Sequence, residues 1–64
     1  MTWTVVRDDH RIDIQETRVE AVRTLREEAI EAGYDEEDVK DEVEEGGEVR
    51  LYGNNLPDLV LEEQ

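Results

Sequence analysis

Thr17-Arg18-Val19-Glu20-Ala21-Val22-Arg23-Thr24-Leu25-Arg26-Glu27-Glu28-Ala29-Ile30-Glu31-Ala32-Gly33 is the stretch that decides the fold of this chain. Thr17 with Glu20 three residues on is a capping box: the hydroxyl accepts from the Glu20 N–H, and the carboxylate can reach back to the Thr17 N–H. Gly33 stands where a helix ends in a left-handed residue, a conformation in which a Cβ would clash. At about 100° per residue, Ala21, Val22, Leu25, Ala29 and Ala32 share one face, with Val19 and Ile30 on its borders. Charged and polar residues take the other side, where Arg23 and Glu27, one turn apart, can pair for a few tenths of a kcal/mol. The stripe is wide and no heptad persists, so this is a helix laid on an apolar layer rather than a coiled-coil strand.

The segments around it read as strands short enough to need that face. Upstream, Thr2 to Arg7 is rich in β-branched and aromatic residues, with Trp3 and Val5 on one side and Thr4 and Val6 on the other. Asp8-Asp9-His10 supplies turn chemistry, and Arg11 to Gln15 alternates, with Ile12 and Ile14 sharing a face. Downstream, Asp35 is placed to cap a second helix through about Glu45, with Tyr34 and Val39 as a hydrophobic staple. Only Val39 and Val43 are apolar there, and Asp41, Glu42, Glu44 and Glu45 oppose the helix dipole at its end. That helix is expected to be exposed, weakly held and frayed before Gly46-Gly47. Glu48 to Tyr52 and Asp58 to Glu62 are two further strands, separated by Gly53-Asn54-Asn55 and Pro57. The fold class is therefore α+β: a small ββααββ-type layer, with one main amphipathic helix packed on an antiparallel or mixed sheet of three to four strands. The whole chain, residues 1–64, is one domain.

Composition bounds the environment. Twenty Asp and Glu face seven basic residues, a net charge of −13, and Lys40 is the single Lys among six Arg. Self-repulsion of this size destabilises a compact chain in dilute buffer, and molar salt, with a Debye length of about 3 Å, removes it. An acidic, Lys-poor surface thus points to a salt-rich cytoplasm; imitation of nucleic-acid charge is the alternative. The absence of cysteine removes disulfide and thiolate chemistry. No apolar run approaches the roughly 20 residues that span a bilayer, which leaves a cytoplasmic protein as the expectation. So small a core gains stability from association, and a homodimer or a protein partner is expected. An open sheet face or a free edge strand is the natural place for it, with Trp3, Val6, Tyr52 and Val60 as candidate interface residues.

Site chemistry is thin. Asp8, Asp9, His10 and Asp13 offer oxygen and imidazole ligands, but a solvated turn in so acidic a chain is the plainer reading, and no metal is assigned. Asp35-Glu36-Glu37-Asp38 lacks calcium-loop spacing. The chain has no serine and no glycine loop opening a helix, and no residue is assigned as catalytic or cofactor-binding. An enzyme is not expected. Direct nucleic-acid binding is disfavoured by the charge, although Arg7, Arg11 and Arg50 could gather on the strands and support a regulator acting at high salt. The leading expectation is a non-catalytic, self-associating protein-interaction module; the alternative is an acidic mimic or antitoxin-like inhibitor of a basic partner.

The stretches Trp3-Thr4-Val5-Val6, Thr17-Arg18-Val19-Glu20-Ala21-Val22 and Gly46-Gly47-Glu48-Val49-Arg50-Leu51-Tyr52-Gly53 resemble domain-of-unknown-function family 2188, with Tyr34 to Glu45 as an insertion. That resemblance implies a small α+β domain and brings no activity. The first half also resembles, more faintly, the antitoxin domain of HicB-type toxin–antitoxin pairs.

Overall fold

A computed structural model describes residues 1–64. Six elements follow in the order β1 (Trp3–Arg7), β2 (His10–Gln15), α1 (Arg18–Ala32), α2 (Glu36–Glu44), β3 (Val49–Leu51) and β4 (Leu59–Glu63). The strands form one antiparallel sheet in the order β2-β1-β4-β3, so the first and last strands are its centre. Both helices lie on one face of it. Val5, Leu59, Leu61, Val49 and Leu51 from the sheet meet Ala21, Leu25 and Ala29 of α1 and Val39 of α2 in one buried cluster.

The caps explain where α1 begins and ends. The Thr17 Oγ1 accepts from the Glu20 N–H at 3.3 Å, as the capping box requires. The return contact differs from expectation: the Glu20 carboxylate accepts from the Thr17 hydroxyl, at 2.8 Å, instead of the backbone N–H. Gly33 adopts φ +112°, and its N–H donates to the Ala29 and Ile30 carbonyls. A side chain there would be strained by the backbone and crowded by Leu56, whose Cδ2 would lie 3.2 Å from the added Cβ. Val22 and Ala32 are half-buried, while the border residues Val19 and Ile30 remain exposed. The ion pairs on the surface are Arg7–Glu28, Arg26–Glu36 and Arg50–Glu48. Arg23 and Glu27 form none, although their spacing allows one.

The second helix corrects the reading that it is weakly held. Asp35 caps it, its Oδ1 accepting from the Glu37 N–H at 2.9 Å. Its two valines are enough because both turn inward: Val39 is fully buried and Val43 packs against the core. Tyr34, the other half of the staple, places its hydroxyl 2.7 Å from the Pro57 carbonyl and 3.0 Å from that of Leu51, tying the helix start to β3 and the loop after it. Burial, reinforced by Asp58 and Asp8, raises the Tyr34 pKa above its usual value, which keeps the hydroxyl a donor.

Asp41, Glu42, Glu44 and Glu45 oppose the dipole at the end of α2, the ground for expecting it to fray, and no basic residue of its own occupies the last turn. Arg18, from the first turn of α1, supplies the missing charge. Its Nε donates to the Gly47 carbonyl at 2.9 Å and an Nη to the Val43 carbonyl at 3.0 Å. The same guanidinium lies 5.9 Å from the Trp3 ring centroid. One side chain thus joins β1, α1 and the end of α2.

Candidate interaction face

The hairpin of β1 and β2 determines what the uncovered sheet face carries. Its two-residue turn places Asp8 at φ +49° and Asp9 at φ +67°, the signs of a type I′ connection. Arg7 then pairs with His10 and Val6 with Arg11. An unbroken ladder would next set Val5 opposite Ile12, sending both isoleucines under the helix. Instead a β-bulge between Val5 and Val6 leaves Ile12 unpaired and sets Val5 opposite Asp13 and Thr4 opposite Ile14. A one-residue slip exchanges the faces of a strand. Asp13 and Gln15 therefore lie on the helix side, and Ile14 on the open side, 49% exposed.

The slip is held by hydrogen bonds. Thr24 of α1 donates to Asp13 Oδ2 at 2.7 Å, and Gln15 donates to both Asp13 oxygens at 3.0 and 3.1 Å. These bonds, Thr24 foremost, favour the carboxylate and lower the Asp13 pKa. Asp13 is thus engaged in the fold. So is Asp8, whose N–H donates to the Asp58 carbonyl and whose Oδ1 accepts from the Asp58 N–H, both at 3.0 Å. No group of three or more His, Asp or Glu side chains is arranged to hold a metal ion.

Register across the four strands gives the face its pattern. Arg11, Val6, Val60 and Arg50 form one row from edge to edge; Ile14, Thr4 and Glu62 form the next. Val6 and Val60 are half-buried neighbours at the centre. Of the chain's 20 acidic residues, Glu62 alone occupies one of these positions. Tyr52, 60% exposed, follows β3 at the sheet edge. There it and Arg50 border a hollow of about 310 Å³ together with Asp38, Asp41 and Glu42 of α2. The Tyr52 phenol, and secondarily Glu48 and Glu62, raise the Arg50 pKa further, so this edge cation is permanent.

The structure brings Val6 and Val60 together and places Tyr52 at their rim. Trp3 is elsewhere: it lies on the helix side, packed against the core beneath Arg18. Ile14 belongs to the face and was missed, because the bulge that turns it outward has no glycine to announce it. The three strand arginines make no basic strip. Arg7 lies on the helix side with Glu28, 3.1 Å away. Arg11 and Arg50 stand on the two edge strands, roughly 14 Å apart at normal strand spacing. The edges themselves are blunted, one by the bulge and the other by the three-residue length of β3. That leaves the face, rather than an edge, as the candidate contact surface.

No helix is long and apolar enough to cross a membrane. Comparison with known proteins finds no family model that matches the chain, and no curated protein or solved structure that matches it either.

Proposed function

We propose that this chain is a non-catalytic protein-interaction module of a salt-rich cytoplasm, and that its open sheet face receives another protein. The observation that carries the reading is the contrast on that face. A net charge of −13 covers the molecule, yet the central rows hold Val6, Val60, Ile14 and Thr4 with a single carboxylate. Burying carboxylates in a contact is costly, and their scarcity on the one uncovered layer suits a surface meant to lose its water. Arg11 at one rim suits a partner with an acidic edge, while Arg50 at the other already faces Glu48 at 3.5 Å.

The test is capture from a lysate in molar KCl with the wild type, Ile14→Glu and Val60→Glu as baits. A specific protein retained by the wild type and lost by both variants, each still folded by circular dichroism, supports the reading. Retention by both variants, or no specific protein at all, refutes it. The salt component has its own check. The melting temperature is expected to rise from dilute buffer to molar KCl as like charges are screened, and a flat or falling value removes the salt-adaptation argument.

A second reading draws on charge layout. Nine of the 20 acidic residues lie between Asp35 and Glu48, on and around α2, so the carboxylates are concentrated rather than spread. That density supports an acidic mimic of nucleic acid that occupies a basic protein. Loss of a captured basic protein when Asp41 and Glu42 become Asn and Gln, with the sheet-face variants neutral, would favour it over the first.

A further inference from the structure

We propose that the outer flank of α1 is a self-association surface, on which two copies of this chain pack antiparallel about a two-fold axis. The flank is apolar at both ends: Val19 is 74% exposed and Ile30 46%. They lie three helical turns apart, about 16 Å along the axis. Between them runs an open groove of about 920 Å³, where Val22 and Val43 form a half-buried floor.

Charge decides the occupant. Along this flank Arg18 and Arg23 occupy the N-terminal half, and Glu27 and Glu31 outnumber Arg26 in the C-terminal half. Two parallel copies would set like charge against like. Two antiparallel copies set each basic half against the other's acidic half. With the axis crossing between Thr24 and Leu25, Val19 of one copy faces Ile30 of the other, and Arg23 comes within one position of Glu27. Arg23 and Glu27 are one turn apart in the same helix, yet form no pair there, so both are free for this exchange. Arg26, which would otherwise approach Arg23 of the second copy, is drawn aside to Glu36 at 3.7 Å. The sheet face lacks such reversal: an arginine closes each end of its central row, which suits a different protein better than a second copy.

The repulsion between two bodies of charge −13 opposes association at long range, and salt screens that before it weakens pairs in contact. The dimer is therefore expected to strengthen as KCl rises from about 0.1 to about 1 M.

The experiment is sedimentation equilibrium across that salt range on five proteins: wild type, Val19→Glu, Arg23→Glu, the double variant Arg23→Glu/Glu27→Arg, and Ile14→Glu, each checked for native circular dichroism. The wild type is expected at twice its 7.5 kDa chain mass. Val19→Glu should be a monomer. Arg23→Glu should weaken dimerisation about tenfold or more, and the double variant should regain most of the loss, since it restores opposite charges across the axis. Ile14→Glu, which disables the sheet face, should dimerise as the wild type does. A wild type that stays monomeric at every salt overturns the proposal. So does a dimer that Val19→Glu leaves intact, a double variant that fails to recover, or a dimer dissolved only by Ile14→Glu. A monomer whose captured protein is lost in Val19→Glu would assign the groove to a foreign helix and also overturn it. The lysate captures with sheet-face variants report separately, so either conclusion can fail alone.

Discussion

Replacing Arg18 by Met keeps an apolar stem of similar reach and removes the guanidinium. Two hydrogen bonds are then lost, to the carbonyls of Gly47 and Val43. The first is exposed and the second half-buried, so water replaces much of what is removed, and each is worth about 0.5–1 kcal/mol net. The positive charge at the α2 C-terminus adds about 0.3–1 kcal/mol, and the Trp3 contact about 0.5 kcal/mol. The loss should be about 2–3.5 kcal/mol. A domain of this size is stable by roughly 3–10 kcal/mol, so the fraction is large. At about 4–8 °C per kcal/mol, the melting temperature should fall by roughly 8–28 °C. The assay is urea and thermal denaturation by circular dichroism in molar KCl, at concentrations where the chain is monomeric. Arg18→Lys should recover less than half of the loss, because an ammonium keeps the charge but cannot fork between two carbonyls. A cost for Arg18→Met below about 0.5 kcal/mol, or a Lys variant as stable as the wild type, would refute the view that this side chain closes α2.

Three further outcomes are expected. Leu25→Ala, at a fully buried site, should cost about 2–5 kcal/mol in denaturant unfolding, and less than about 1 kcal/mol would place Leu25 outside the core. Asp13→Asn should cost about 0.5–1.5 kcal/mol at pH 7. Because the folded pKa of Asp13 lies below its ordinary 3.8, its contribution is complete above that value and lost as pH falls through the folded value; the gap between variant and wild type should therefore shrink on acidification, and a gap constant from pH 7 to pH 2 contradicts the assigned charge. Asp9→Gly, at φ +67°, should stabilise the chain by about 0.5–1 kcal/mol by relieving a left-handed non-glycine residue, and a lower melting temperature would show that the Asp9 side chain is needed there.

What could be read beforehand was whatever depends on neighbours in sequence. Thr17, Gly33 and Asp35 announce helix ends because caps act over three or four residues, and α1 begins and ends within one residue of its expected bounds. The alternation of Thr4 and Val6, and of Leu59 and Leu61 about Val60, assigned sheet faces correctly because a strand keeps its period. The failures involve distance. Two valines looked too few to hold α2; Arg18, Tyr34 and the core itself hold it, from elements far along the chain. Trp3 is an interface candidate by sequence because an aromatic on a strand suits either face, and only the position of the helix decides that it packs against the core. Ile14 was missed for a different reason. Its outward direction follows from one unpaired residue, Ile12, and the balance that favours the bulge includes an Asp13–Thr24 bond between separate elements.

The central pairing of β1 with β4 also dictates when the molecule can form. Trp3 lies opposite Glu63 and Arg7 opposite Leu59. The hairpin of β1 and β2 can close early, since its turn is local, but it then waits with one edge of β1 bare through the making of both helices. Contacts so distant in sequence make folding slow relative to a helical bundle of equal length. The sheet has no centre until residues 59 to 63 arrive, and until then β3 has no strand beside it. Folding therefore waits for residues 59 to 63, and until they are in place the bare edge of β1 is the part of the chain that must be kept from other strands.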